Sequence, residues 1–84
     1  MWFVYLVECS DGTLYCGISN DVDKRIDKHN TKKGAKYTST RTPVRLVYKE
    51  KADDRSSASK REYVIKKLSR DKKLLLIKSF NLAE

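Results

Sequence analysis

The run after Met1, Trp2-Phe3-Val4-Tyr5-Leu6-Val7, is apolar at odd and even positions alike. A strand with one wet face alternates, so this run predicts a strand covered on both sides. Ser10-Asp11-Gly12 interrupts it, and Thr13-Leu14-Tyr15-Cys16-Gly17-Ile18 follows as a second strand-like run. Together they read as a β-hairpin. A two-residue Asp-Gly turn would pair positions whose numbers sum to 23, sending Tyr5 and Tyr15 to opposite faces. A three-residue loop with Gly12 left-handed and a bulge gives an even sum, with both tyrosines on one face and Gly17 opposite Tyr5. The second register is the expected one.

Ser19-Asn20-Asp21 is a cluster of N-cap formers, and a helix is predicted from there to about Asn30 with Val22 and Ile26 on its buried stripe. Thr31 to Thr42 is polar and basic and reads as a loop. Pro43 opens a third strand, Val44 to Tyr48, with clean alternation. A second helix falls between Arg55 and Leu68, where Ser59 stands three residues before Glu62 as a candidate capping box. A third starts around Ser69 to Asp71 and stays apolar from Leu74 through Ile77 to Phe80. The predicted class is α+β: a three-stranded antiparallel sheet flanked by three helices, in the order ββαβαα.

Length and charge narrow the function. At 84 residues the chain has room for one domain, 1–84. Folding is expected to remove roughly 60–65% of the unfolded surface from water, which is workable without disulfides. Of 11 acids, Glu8, Asp11, Asp21 and Asp23 precede Lys24, whereas all 19 Lys and Arg lie from Lys24 onward. Such a surface favours a polyanion, because phosphate contacts release condensed counterions. Nucleic acid is the expected partner, through a basic loop carrying Lys32, Lys33, Lys36 and Arg41. The bases do not oppose a strongly apolar helical face, so a membrane-surface role is not expected. With no signal-peptide pattern and two cysteines, Cys9 and Cys16, in strand-like runs, a reducing cytoplasm fits. Both thiols are expected as small core residues. A metal site built on them would need two more ligands, and His29 is the only histidine.

Helical geometry singles out three further residues. Arg25 and His29 are four apart and flank Val22 and Ile26, which points them toward the sheet's edge. Ala58, Glu62 and Ile65 share the inward stripe of the second helix. An inward carboxylate costs several kcal/mol unless paired. Its partner is expected to be Arg25, a bound cation or a lysine, unless it turns back on Ser59. Two phenols on one face, an Arg–His pair and an inward carboxylate together suggest phosphodiester cleavage.

Phe3-Val4-Tyr5, with Tyr15-Cys16-Gly17 ten residues on, resembles the paired tripeptides of the GIY-YIG nucleases. Arg25 eight residues past Gly17, His29 four further and Glu62 in Ala58-Ser59-Lys60-Arg61-Glu62-Tyr63 extend the likeness over almost the whole chain. It is closest to small stand-alone bacterial members. The sequence departs from the pattern in three places: Phe3 and Val4 stand for the Gly and Ile of the first triplet, Leu74 stands near where some active relatives have asparagine, and Ser19-Asn20 replace a lysine that often follows the second triplet.

The resemblance implies metal-dependent endonuclease chemistry, with DNA more than RNA as substrate and repair or processing as its setting. Mg²⁺, or Mn²⁺, would be held by Glu62 and the scissile phosphate. Tyr5 would be the general base, its phenol made acidic enough by Arg25 or the metal. His29 would pass the proton on or orient the water, and Arg25 would offset phosphoryl charge. Tyr15 would hydrogen-bond the phosphate or the leaving oxygen, and Gly17 would leave the phosphate room. The alternatives are a binding module without catalysis and an adaptor that docks a protein partner through Leu74 to Phe80.

Overall fold

A computed structural model describes residues 1–31 and 41–83, with side chains described to residue 81. The elements are β1 (Trp2–Glu8), β2 (Leu14–Ser19), α1 (Val22–Asn30), β3 (Arg45–Ala52), α2 (Arg55–Lys66) and α3 (Arg70–Ala83). This is the predicted ββαβαα order. The sheet runs β2-β1-β3, with β1 antiparallel to both neighbours.

A central strand covered on both sides explains the apolar run at the start of the chain. Val4 and Leu6 enter a core with Cys16, Val47, Tyr48, Ala58 and Ile65, which α2 and α3 cover. Tyr5 and Val7 enter a second core, on the other face, with Cys9, Val22 and Val44, which α1 covers. The cysteines therefore lie on opposite faces, buried and free, as small core residues.

The hairpin has the expected three-residue loop. The Cys9 N–H donates to the Thr13 carbonyl at 2.8 Å, and the Gly12 N–H donates to the Cys9 carbonyl at 2.9 Å. Gly12 sits at φ 83°, a conformation that costs a residue with a Cβ far more than glycine. The register pairs Tyr5 with Gly17 and Val7 with Tyr15, so both tyrosines share the α1 face.

Clean alternation in the third strand does not hold. Leu6 pairs with Tyr48 but Val7 pairs with Leu46, leaving Val47 as the extra residue of a β-bulge. Val44 and Leu46 therefore face α1, whereas Val47 and Tyr48 face α2 and α3. The bulge lets one strand feed both cores with consecutive apolar residues. The strand also runs on to Ala52, past the predicted end.

Asp21 caps α1, its carboxylate accepting the Lys24 N–H at 3.2 Å. Asp54 caps α2 by accepting the Ser57 N–H at 2.7 Å. Ser59 lies inside α2, so the anticipated Ser59–Glu62 capping box is not formed. Glu50 anchors α2 to β3, accepting from the Tyr48 hydroxyl at 2.7 Å and from Arg61 at 3.1 Å. Beyond them Phe80 meets Tyr48 edge-on, with centroids 5.8 Å apart. Among the described residues no helix is long and apolar enough to cross a membrane.

Candidate active site

Strand pairing sets Gly17, Tyr5 and Lys49 in one row across the sheet, with Tyr15 and Val7 in the next. Above that face α1 lays down His29, which is 0% exposed. The Tyr5 hydroxyl lies 3.0 Å from His29 Nε2. The Tyr15 ring meets the imidazole edge-on, with centroids 5.4 Å apart. His29 was expected toward the sheet's edge; it is instead inside the core, clamped between the two phenols. Arg25, one turn earlier on α1, is close enough that its guanidinium pulls the Tyr5 phenol toward lower pKa.

Asn30, which the sequence did not single out, holds α1 in place. Its amide accepts the Val44 N–H at 2.7 Å and donates to the Val44 carbonyl at 3.1 Å. That two-point bond ties the end of α1 to the approach to β3 and so sets His29 over Tyr5. The only signal in the sequence was a polar amide at a helix end.

Gly17 leaves room, but in this structure Tyr5 fills it. A Cβ at Gly17 would lie 2.6 Å from the Tyr5 hydroxyl oxygen and 2.8 Å from Cζ. Tyr5 is 1% exposed and has little space to retreat. Gly17→Ala is therefore expected to destabilise the fold by about 1–3 kcal/mol, as overpacking does. It should also push the phenol off His29, which an unfolding curve and the His29 imidazole chemical shifts would read together.

Burial sets the charge state of the pair. It pushes the Tyr5 phenol up to about 12, although Arg25 pulls the other way. Arg25 or the metal was expected to bring this phenol down toward neutral pH; of the two, Arg25 is outweighed by desolvation. Burial, helped by the Arg25 charge, also holds His29 below its ordinary 6.5. Near pH 7 both groups are neutral. In the imidazole tautomer protonated at Nδ1, Nε2 is the acceptor and the Tyr5 O–H donates to it at 3.0 Å.

Glu62 approaches from the other side of the sheet. It projects from α2, which packs against the face opposite the tyrosines, and its carboxylate pairs with Lys66 at 3.5 Å. Its charge helps raise the pKa of the thiol of Cys16, the β2 residue between Tyr15 and Gly17. A lysine is thus its partner here, one of the three anticipated. Among the described residues no three His, Cys, Asp or Glu side chains form a metal-holding group. The donor set fits Mg²⁺ or Mn²⁺ in one form only, with Glu62 as a single hard oxygen ligand and water and phosphate filling the shell.

Arg41 pairs with Asp11 at 3.0 Å, and its carbonyl accepts the Ser10 N–H, so it is tied to the hairpin loop. Lys32, Lys33 and Lys36 lie outside the described residues.

A model described as the GIY-YIG catalytic domain matches residues 1–74. A UPF0213 protein of Desulfotalea psychrophila is 57% identical over 79 residues, covering 93% of this chain and 72% of that protein. A UPF0213 protein of Staphylococcus aureus strain Mu3 is 58% identical over 76 residues, covering 90% of this chain and 93% of its own. Among solved structures, the solution NMR structure of a UPF0213 protein from Bacillus halodurans matches with a TM-score of 0.58 at 47% identity. It covers 93% of this chain and 84% of that one. A protein of E. faecalis matches with a TM-score of 0.62 at 38% identity, covering 95% and 85%.

Proposed function

Because the chain belongs to the GIY-YIG family, we propose that it is a divalent-metal-dependent endonuclease that hydrolyses phosphodiesters in DNA. The supporting observation is the buried Tyr5–His29 hydrogen bond, with the Arg25 charge acting on the same phenol.

A phenol at about 12 is a poor base by itself near neutral pH. Hydrogen-bonded to a neutral imidazole, it need not ionise. The attacking water gives its proton to the Tyr5 oxygen as the Tyr5 proton passes to His29 Nε2. The water oxygen bonds to phosphorus, and the bond to the leaving oxygen breaks. Arg25 offsets the charge that grows on the phosphoryl oxygens. Tyr15, packed on the imidazole, steadies His29 and offers its hydroxyl to the phosphate or the leaving oxygen. A divalent cation at Glu62 would supply Lewis-acid stabilisation of the leaving group. The direct test is a panel of labelled duplex, flap, branched and single-stranded substrates with Mg²⁺ or Mn²⁺. Metal-dependent cuts on at least one are expected; no cuts on any would overturn the catalytic reading.

One observation favours a second reading. The carboxylate of Glu62 is already paired with Lys66, on the side of the sheet away from Tyr5. A module that binds nucleic acid without cutting it would keep the fold and the bases.

In either case Lys32, Lys33, Lys36 and Arg41 are proposed to touch phosphates. Replacing all four with alanine should flatten the log–log salt dependence of binding by roughly 3–4 units on B-form DNA. An unchanged slope and affinity would leave the loop with a solubilising role only.

A further inference from the structure

A groove of about 140 Å³ runs beside α1, lined by Ser19, Asn20, Asp21, Lys24, Arg25 and Lys28. Three of the six are cations and one is an acid, which leaves a net positive wall. The helical repeat segregates the charges. Lys24, Arg25 and Lys28 lie on one flank of the buried Val22–Ile26–His29 stripe, whereas Asp23 and Asp27 lie on the other. Among the described residues Lys24 and Lys28 form no ion pair. Two uncompensated ammonium groups one turn apart repel each other, an arrangement a bound anion relieves. The helix end itself adds little, because the Asp21 carboxylate already takes the Lys24 N–H and faces any anion at that end. The Ser19 Oγ accepts the Asp21 N–H at 2.9 Å, so its own proton is available to donate.

Arg25 belongs both to this wall and to the surroundings of the Tyr5–His29 pair. Whatever anion fills the groove is therefore next to the one Arg25 meets over Tyr5. We propose that the groove seats the backbone phosphate adjacent to the scissile one, held by Lys24 and Lys28, and so sets which phosphodiester is presented to Tyr5. This rests on the reading of the chain as a nucleic-acid enzyme, and it assigns the groove to the substrate strand.

Binding without metal, which needs no catalysis, tests it. Lys24→Ala/Lys28→Ala should flatten the log–log salt slope for DNA by about 1 unit, the share of one phosphate. Lys60→Ala/Lys72→Ala removes the same charge from α2 and α3 and should flatten it by less than half as much. A duplex with a single uncharged methylphosphonate placed at successive linkages should bind wild type more weakly at one linkage next to the cut. The groove variant should be indifferent to that linkage. Equal slope losses in the two double variants, or a groove variant that still senses the methylphosphonate, would overturn the groove assignment while leaving the nuclease reading intact. Wild type that binds no DNA would overturn both.

Discussion

Glu62→Gln is expected to cut metal-dependent cleavage by on the order of 100-fold or more, since losing a ligand should cost at least as much as losing a group that orients one. Glutamine keeps the size and most of the hydrogen bonding but not the charge that holds a hard cation. Affinity for DNA without metal should hold level or rise, because one negative charge has gone. Stability should change little. The Glu62–Lys66 pair is a partly exposed i, i+4 pair, a class that contributes about 0.3–0.5 kcal/mol. Cleavage rate, metal-free affinity and unfolding midpoint measured on one preparation separate these effects. Suppose wild type never cuts, and a Mn²⁺ titration leaves the signals around Glu62 unmoved. The pairing with Lys66 would then be the whole role of this carboxylate, and the binding-module reading would replace the enzyme.

Tyr5→Phe should lower cleavage by roughly 10²–10⁴-fold, the usual contribution of positioned acid–base chemistry. The ring stays in the core and only the hydroxyl bonded to His29 is removed. The relay also sets the pH profile. His29 must be neutral to take the proton, so kcat/KM should fall at acid pH, with a midpoint below the ordinary 6.5. His29→Gln should abolish that limb along with most of the rate. An acid limb unchanged in the His29 variant would remove histidine from the relay.

The same depressed pKa carries a stability signature. Unfolded, the imidazole takes its proton at its ordinary value; folded, it does so only at lower pH. The unfolded chain therefore binds more protons in between. The contribution is present above 6.5 and is lost as pH falls through the folded value. Asp11 and Asp54 are also depressed, but from an ordinary 3.8, so their window lies at lower pH. At the alkaline end Tyr5 works in the opposite sense. Its stabilisation holds below 10 and is lost as pH rises through about 12.

What the chain alone determined is what depends on neighbours in sequence. Gly12 after Ser10-Asp11 selected the three-residue loop, and that loop put Tyr5 and Tyr15 on one face with Gly17 opposite Tyr5. A continuous apolar run marked β1 as a strand covered on both sides, and the Ser19-Asn20-Asp21 cluster marked the start of α1. These are consequences of backbone geometry and period, which act over a few residues. Tertiary structure decided the rest. The bulge at Val47 turns consecutive residues toward two different cores, and no local pattern requires it. Asn30 finds Val44 fourteen residues away, and that contact sinks His29 into the core. The same burial raises the Tyr5 phenol where its neighbour Arg25 alone would lower it. Helical period turned Glu62 inward, but the face on which α2 packs decided that it meets Lys66 and β2. Desolvation and packing partners are sums over elements distant in sequence, so they exist only once the sheet and its two helical layers have closed.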